Sequence, residues 1–140
     1  MKKTVYALIC FSACVILLTS CEKDEDDRDK FVGSFALSET WTLDGGGTGT
    51  DSYNISISKS DVNKSDIIIG NLGNTINVFG AQMNVTATVT GSSFSIPTQS
   101  IALGANSVTV TGTGSLNDKL ITINYVIVGQ WQGQCTGFKQ

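Results

Sequence analysis

Glu39 is the side chain in this 140-residue sequence that stands where buried acid–base chemistry would need it. Alternation of apolar and polar residues from Phe31 onward turns it inward, between Leu37 and Trp41. A carboxylate sealed in apolar surroundings costs several kcal/mol unless something pairs with it. Glu39 is therefore expected to find a partner, to lie at a wet barrel mouth, or to follow a bulge that resets the alternation. Catalysis is not expected from it. The sequence has no histidine, so the usual general base is missing. The other acids beyond residue 30, Asp44, Asp51, Asp61, Asp66 and Asp118, fall mostly in expected turns. Glycoside hydrolysis takes two facing carboxylates, and no spacing sets a second one beside Glu39. No catalytic residue is assigned, and the chain reads as a non-enzyme.

Other site patterns fail similar tests. Asp61-Val62-Asn63-Lys64-Ser65-Asp66 offers oxygen ligands at the first, third and fifth positions of a calcium loop, but Leu72 stands where the bidentate glutamate belongs. Gly45-Gly46-Gly47 lacks the lysine and following helix of a phosphate cradle and reads as a hairpin loop. No metal site and no cofactor are expected. The net charge is −3 and Arg28 is the only arginine, so there is no basic footprint for nucleic acid, and no bidentate guanidinium clamp is expected in the body. Trp41, Tyr53 and Tyr125 fall at inward positions. Trp131, between Gln130 and Gln132, is expected to be exposed, where it could stack on a sugar or anchor in a partner protein. Glu39, Trp41 and Trp131 are thus the candidate ligand or partner contacts.

The first 20 residues read as an export signal. Lys2 and Lys3 precede Val5 to Leu18, an apolar run too short to span a bilayer. Leu18-Thr19-Ser20-Cys21 resembles the bacterial lipobox. The resemblance implies a diacylglyceryl thioether on Cys21, cleavage between Ser20 and Cys21, and acylation of the new N-terminus. The alternative is an ordinary secretory signal with an incidental cysteine. Cys10 and Cys14 leave with the signal, so Cys135 remains as the body's single thiol, expected to be buried in a C-terminal strand. Residues 22–29 hold six of the chain's twelve carboxylates, and this self-repelling block is expected to be a disordered tether over 21–30. Its Lys23-Asp24-Glu25 is similar to the surface-export signal of Bacteroidota lipoproteins, which implies the outer leaflet of the outer membrane. The alternative is a plain tether on the periplasmic face.

The elements that must position Glu39 and the tryptophans are strands. Residues 31–140 form one domain and alternate with a period of two, with no run of ten at helical spacing. The expected fold is all-β: an antiparallel meander barrel of about eight strands, with a β-sandwich as the alternative. After two strands either side of the glycine loop, candidate strands are 66–72, 75–80, 84–90, 93–97, 100–103, 107–116, 120–129 and 133–139. These make ten segments, some of which must merge. Pro97 is expected at a strand end, and Gly112 with Gly114 at a bend. Leu120, Val126 and Val128 form a second apolar face on their strand, expected to be covered.

Three stretches resemble small lipocalin-like lipoproteins of Bacteroidota: Lys30-Phe31-Val32-Gly33-Ser34-Phe35, Val85-Thr86-Ala87-Thr88-Val89 followed by Ser95-Ile96-Pro97, and Gly112-Thr113-Gly114-Ser115-Leu116. Gly33-Ser34-Phe35 stands where lipocalins carry Gly-x-Trp. The resemblance implies a short eight-stranded barrel. The functional expectation is a membrane-anchored, surface-exposed accessory module that docks on an outer-membrane complex. The alternative is a barrel binding a small apolar or sugar-like ligand at its mouth.

Overall fold

A computed structural model describes residues 25–140. The signal segment, Ser20, Cys21, Lys23 and Asp24 lie outside the described residues. The body is a closed antiparallel barrel in which each strand pairs with the next. The strands are β1 (Gly33–Leu43), β2 (Thr48–Lys59), β3 (Asp66–Gly70), β4 (Asn84–Thr90), β5 (Ser93–Leu103), β6 (Asn106–Asn117), β7 (Leu120–Ile127) and β8 (Trp131–Lys139). Closure comes from β1 pairing with β8, from Phe35 opposite Lys139 to Leu43 opposite Trp131. The sandwich alternative is therefore excluded.

Alternation does the positioning. Phe35, Leu37 and Glu39 on β1 are buried, while Ser34, Ala36, Ser38 and Thr40 are exposed. The same pattern on β2 and β7 sends Tyr53, Ile55 and Ile57, and Ile121, Ile123, Tyr125 and Ile127, into one core. An eight-stranded barrel has an interior just wide enough for its own side chains, and here large residues fill it. Glycines make room at two crowded points. The Phe94 ring occupies the place of a side chain at Gly114, and Trp41 lies over Gly49, its partner across the β1–β2 ladder.

Ten expected segments become eight strands in two ways. Segments 93–97 and 100–103 join as β5, with a bulge between Ile96 and Gln99 in its pairing to β6. Pro97 thus sits inside a strand, at an interruption of the ladder where a missing N–H costs little. The Gln99 side chain then stands in for backbone pairing: its amide accepts from Thr86 N (3.0 Å) and donates to Thr86 O (2.7 Å). Gly112 lies opposite this bulge, in a strand whose own pairing to β7 stays regular, so the expected bend falls on β5 rather than β6.

The expected strand 75–80 is instead part of a lid. A 3₁₀ turn at Leu72–Asn74 runs into α1 (Thr75–Phe79), a single helical turn. Asn71, Gly73, Asn74 and Gly80 all take positive φ, which folds the chain back over the barrel end; asparagine and glycine tolerate this conformation best. Burial of Leu72 and Thr75 overrides the strand preference of the β-branched residues here.

At the opposite end, Phe31 plugs the barrel, edge-to-face with Phe94 at 5.5 Å. Outside it the described part of the acidic segment is docked, which corrects the expectation of a disordered tether for residues 26–30. The Arg28 guanidinium forks onto Asp26 (2.9 and 2.8 Å). It also donates to the carbonyls of Ser60 and Asn63, both at 3.2 Å, in the β2–β3 turn. Lys59 bridges Asp26 (2.9 Å) and Asp29 (2.7 Å). Arg28 and then Lys59 hold the Asp26 carboxyl well below the usual carboxylate range. This bidentate guanidinium clamp lies in the segment ahead of the body, and the β2–β3 turn, whose sequence carries part of a calcium-loop pattern, supplies it with backbone acceptors. The second apolar face is not covered: Leu120 and Val126 on β7 and Val128 just beyond its end are all exposed.

Candidate functional site

The end of the barrel away from Arg28 carries the buried polar residues Glu39, Asn74 and Thr75. Glu39 is 2% exposed and accepts a hydrogen bond from the Tyr125 hydroxyl. Trp131 Nε1 donates to the same hydroxyl oxygen at 3.0 Å. The Tyr53 hydroxyl lies 3.6 Å from Cys135 Sγ and accepts from the backbone N–H of Gly73 in the lid at 3.0 Å. Two neighbouring groups of hydrogen bonds thus draw on four strands and the lid. Gly133 makes the arrangement possible, because a side chain there would occupy the space of Glu39 Oε1 and the Tyr125 ring.

Burial raises the Glu39 pKa, hydrogen bonding from Tyr125 and Tyr53 opposes the rise, and the Asp51 charge adds to it. Burial also drives both tyrosine hydroxyls up, so they remain protonated donors. The Cys135 thiol is pushed up to about 12, chiefly by burial, and is free and buried, as the sequence leads one to expect. It holds its proton at neutral pH, where a nucleophile would need the thiolate. This set of groups is suited to hydrogen bonding and shape.

Above it opens a cleft of about 360 Å³. Glu39 forms part of its lining, Trp41, Leu43, Thr50 and Asp51 come from β1 and β2, Gly73 and Val78 come from the lid, and Trp131 comes from β8. The lid is tied down by hydrogen bonds. Asn74 donates to Asp51 Oδ2, Thr75 Oγ1 accepts from Met83 N at 2.8 Å, and Asn71 Nδ2 donates to Asn54 O at 3.0 Å. Phe79 stacks on Trp131, centroids 5.9 Å apart and planes 15° from parallel. A shallower depression of about 250 Å³ lies along β6, β7 and β8, among Thr111, Asn124, Gln132 and their neighbours.

All three residues singled out in the sequence, Glu39, Trp41 and Trp131, line this cleft. Trp131 is not the freely exposed indole expected. Its ring is half-buried against Phe79 and its N–H is engaged by Tyr125. Sequence reasoning missed Leu43, Thr50, Asp51, Gly73 and Val78; Gly73 and Val78 belong to the lid, and Asp51 bonds to it. The clustered Asn71, Gly73, Asn74 and Gly80 were the available signal that residues 71–80 could not run straight. Glu25 is described and exposed, remote from this site.

The raised Glu39 pKa has a testable sign. A raised carboxyl pKa means that the folded state holds a proton the unfolded chain would release. Its stabilising contribution is full below the ordinary carboxylate range and disappears as pH rises through the shifted value. Glu39→Gln is neutral throughout and keeps the acceptor for Tyr125. Its Tm relative to the unsubstituted protein is expected to rise from pH 4 to pH 8, followed by circular dichroism; other titrating groups cancel in the comparison. A difference that stays flat or shrinks with pH contradicts the assignment.

No family model matches the sequence, and no curated protein matches it. Likeness appears among solved structures. A redesigned β-barrel superposes with a TM-score of 0.51 at 13% identity, covering 82% of this chain and 96% of the other. A protein of unknown function from the DUF3598 family of Nostoc punctiforme PCC 73102 superposes with a TM-score of 0.50 at 13% identity, over 80% of this chain. The match covers 48% of that protein, so the chain spans about half its length. At such identity the likeness extends to the fold alone. The fold is an eight-stranded meander barrel.

Proposed function

We propose that this protein is a lipid-anchored, lipocalin-like lipoprotein of the outer membrane whose barrel binds a small ligand at its lidded mouth and performs no chemistry on it. The observation that carries the binding role is the cleft itself. Its volume of about 360 Å³ falls in the range of small-molecule pockets, and four of its eight lining residues are apolar: Trp41, Leu43, Val78 and Trp131. The barrel below is filled with side chains, so a ligand would lie at the mouth, as a cap on the core. The anchor rests on Leu18-Thr19-Ser20-Cys21, and export to the cell surface on Lys23-Asp24-Glu25. Retention on the periplasmic face is the alternative to surface display.

Binding is tested with the neutral fluorescent dye N-phenyl-1-naphthylamine on the intact protein. Val78 is 57% exposed on the lid, so Val78→Trp fills the mouth without disturbing the core. Dye binding is expected for the unsubstituted protein and should weaken about tenfold or more in Val78→Trp, the loss of roughly 1.4 kcal/mol of contact. Absence of dye binding, or equal binding by the variant, rejects the mouth as a ligand site.

A second reading has its own support. Leu43, Ile76, Val78 and Val128 form an exposed apolar rim around the lidded end, which suits docking onto an outer-membrane protein complex. In that case Trp131 and the rim residues would be partner contacts, and crosslinking from the rim in intact membranes would capture a discrete partner.

A further inference from the structure

We infer that the mouth cleft selects organic cations: ligands with a compact apolar or aromatic body that carry a protonated amine or quaternary ammonium group. The inference deepens the small-ligand reading and rests on it. Two of the eight lining residues carry carboxyl groups, Asp51 on the wall and the buried Glu39 at the base, and none is a lysine or arginine. An anionic ligand would bring its charge beside that of Asp51 in a partly apolar cleft, where repulsion is screened less than in water.

The distribution of charge over the whole barrel points the same way. Among the described residues the cations are Arg28, Lys30, Lys59, Lys64, Lys119 and Lys139. Every one belongs to the Arg28 end, in the docked N-terminal segment, the β2–β3 or β6–β7 turn, or the strand ends beside them. The mouth end holds Glu39, Asp44 and Asp51 with no positive side chain among the described residues. Such a one-signed rim around a low-dielectric cleft draws cations toward it and concentrates them there. The indoles supply the remaining element. Trp41 lies over the bare backbone of Gly49 and is partly exposed, and Trp131 is held in place by its stack on Phe79 and its bond to Tyr125. Tryptophan faces attract cations more strongly than other aromatic rings do, and rings already fixed lose little freedom on binding.

The test uses three probes of nearly equal shape on the intact protein in detergent: 2-phenylethylamine, 2-phenylethanol and phenylacetate, compared by calorimetry and by displacement of N-phenyl-1-naphthylamine. The amine is expected to bind about tenfold or more tighter than phenylacetate, with the alcohol between them, and rising salt should narrow the gap. Asp51→Asn should shrink the preference. Salt dependence of the unsubstituted protein reads the same interaction should that variant fold poorly. Phenylacetate binding as tightly as the amine, or a preference unchanged by salt, overturns the charge selectivity. If the dye and the alcohol still bind in that case, the small-ligand reading stands by itself; if no probe binds and the dye does not either, both readings fall.

Discussion

Replacing Gly133 with alanine is expected to lower the unfolding midpoint by about 15 °C, corresponding to a cost of about 4 kcal/mol at ~4 °C per kcal/mol for a domain of this size. The added Cβ would stand 2.6 Å from Tyr125 Cζ and would collide with Glu39 Oε1, both in the sealed base of the cleft. Neither group can retreat cheaply. Tyr125 is 2% exposed and bonded to Trp131, and Glu39 would lose the donor that offsets its burial. Overpacking contributes roughly 1–3 kcal/mol, and a buried polar group left unpaired about as much again. Against the 5–15 kcal/mol typical of whole domains, roughly 4 kcal/mol is a large fraction. Gly45→Ala, at a loop position with open space around it, serves as the control and should leave the midpoint nearly unchanged. Thermal unfolding followed by circular dichroism decides; a Gly133→Ala midpoint close to that of the unsubstituted protein would show that the base of the cleft is not tightly packed.

Substituting Cys21 with serine should release the protein from membranes, with a fall of about a hundredfold or more in the membrane-bound fraction and loss of labelled palmitate incorporation. Each buried methylene of an acyl chain contributes roughly 0.8 kcal/mol, and two or more chains are what turn marginal binding into stable anchoring. A hydroxyl in place of the thiol gives the lipid no nucleophile of comparable strength at neutral pH. No helix among the described residues is long and apolar enough to cross a membrane. Unaltered fractionation of the serine variant would remove the lipoprotein proposal while leaving the cleft and its chemistry in place.

The sequence discloses a strand far better than it discloses what breaks one. Period-two alternation identified the core faces of β1, β2, β4 and β7, and with them the inward setting of Glu39, because each such residue reports its own side of the sheet. The lid escaped for the opposite reason. Ile76 and Val78 alternate like a strand, but their conformation is decided by the positive φ of Asn71, Gly73, Asn74 and Gly80 and by the need to cover an open barrel end. Charge counting likewise gave the wrong picture of the acidic segment. Asp26 and Asp29 repel each other in an extended chain, yet Arg28 and Lys59 neutralise them once β2 has brought Lys59 alongside, a long-range pairing that local composition does not contain. The partners of Glu39 lay 86 residues away in Tyr125 and on the far side of Gly133, so their meeting depends on barrel closure.

The docking of Asp26 and Arg28 against the β2–β3 turn also sets how the molecule would stand on a bilayer. With Cys21 acylated, only residues 21–25 precede the first docked residue, a leash of at most about 18 Å when drawn out fully at ~3.5 Å per residue. The floor of the barrel would then hug the lipid headgroups, while strands of this length, tilted as barrel strands are, lift the rim roughly 25 Å further out. Visitors to the cleft would have to arrive through water rather than sideways from the membrane.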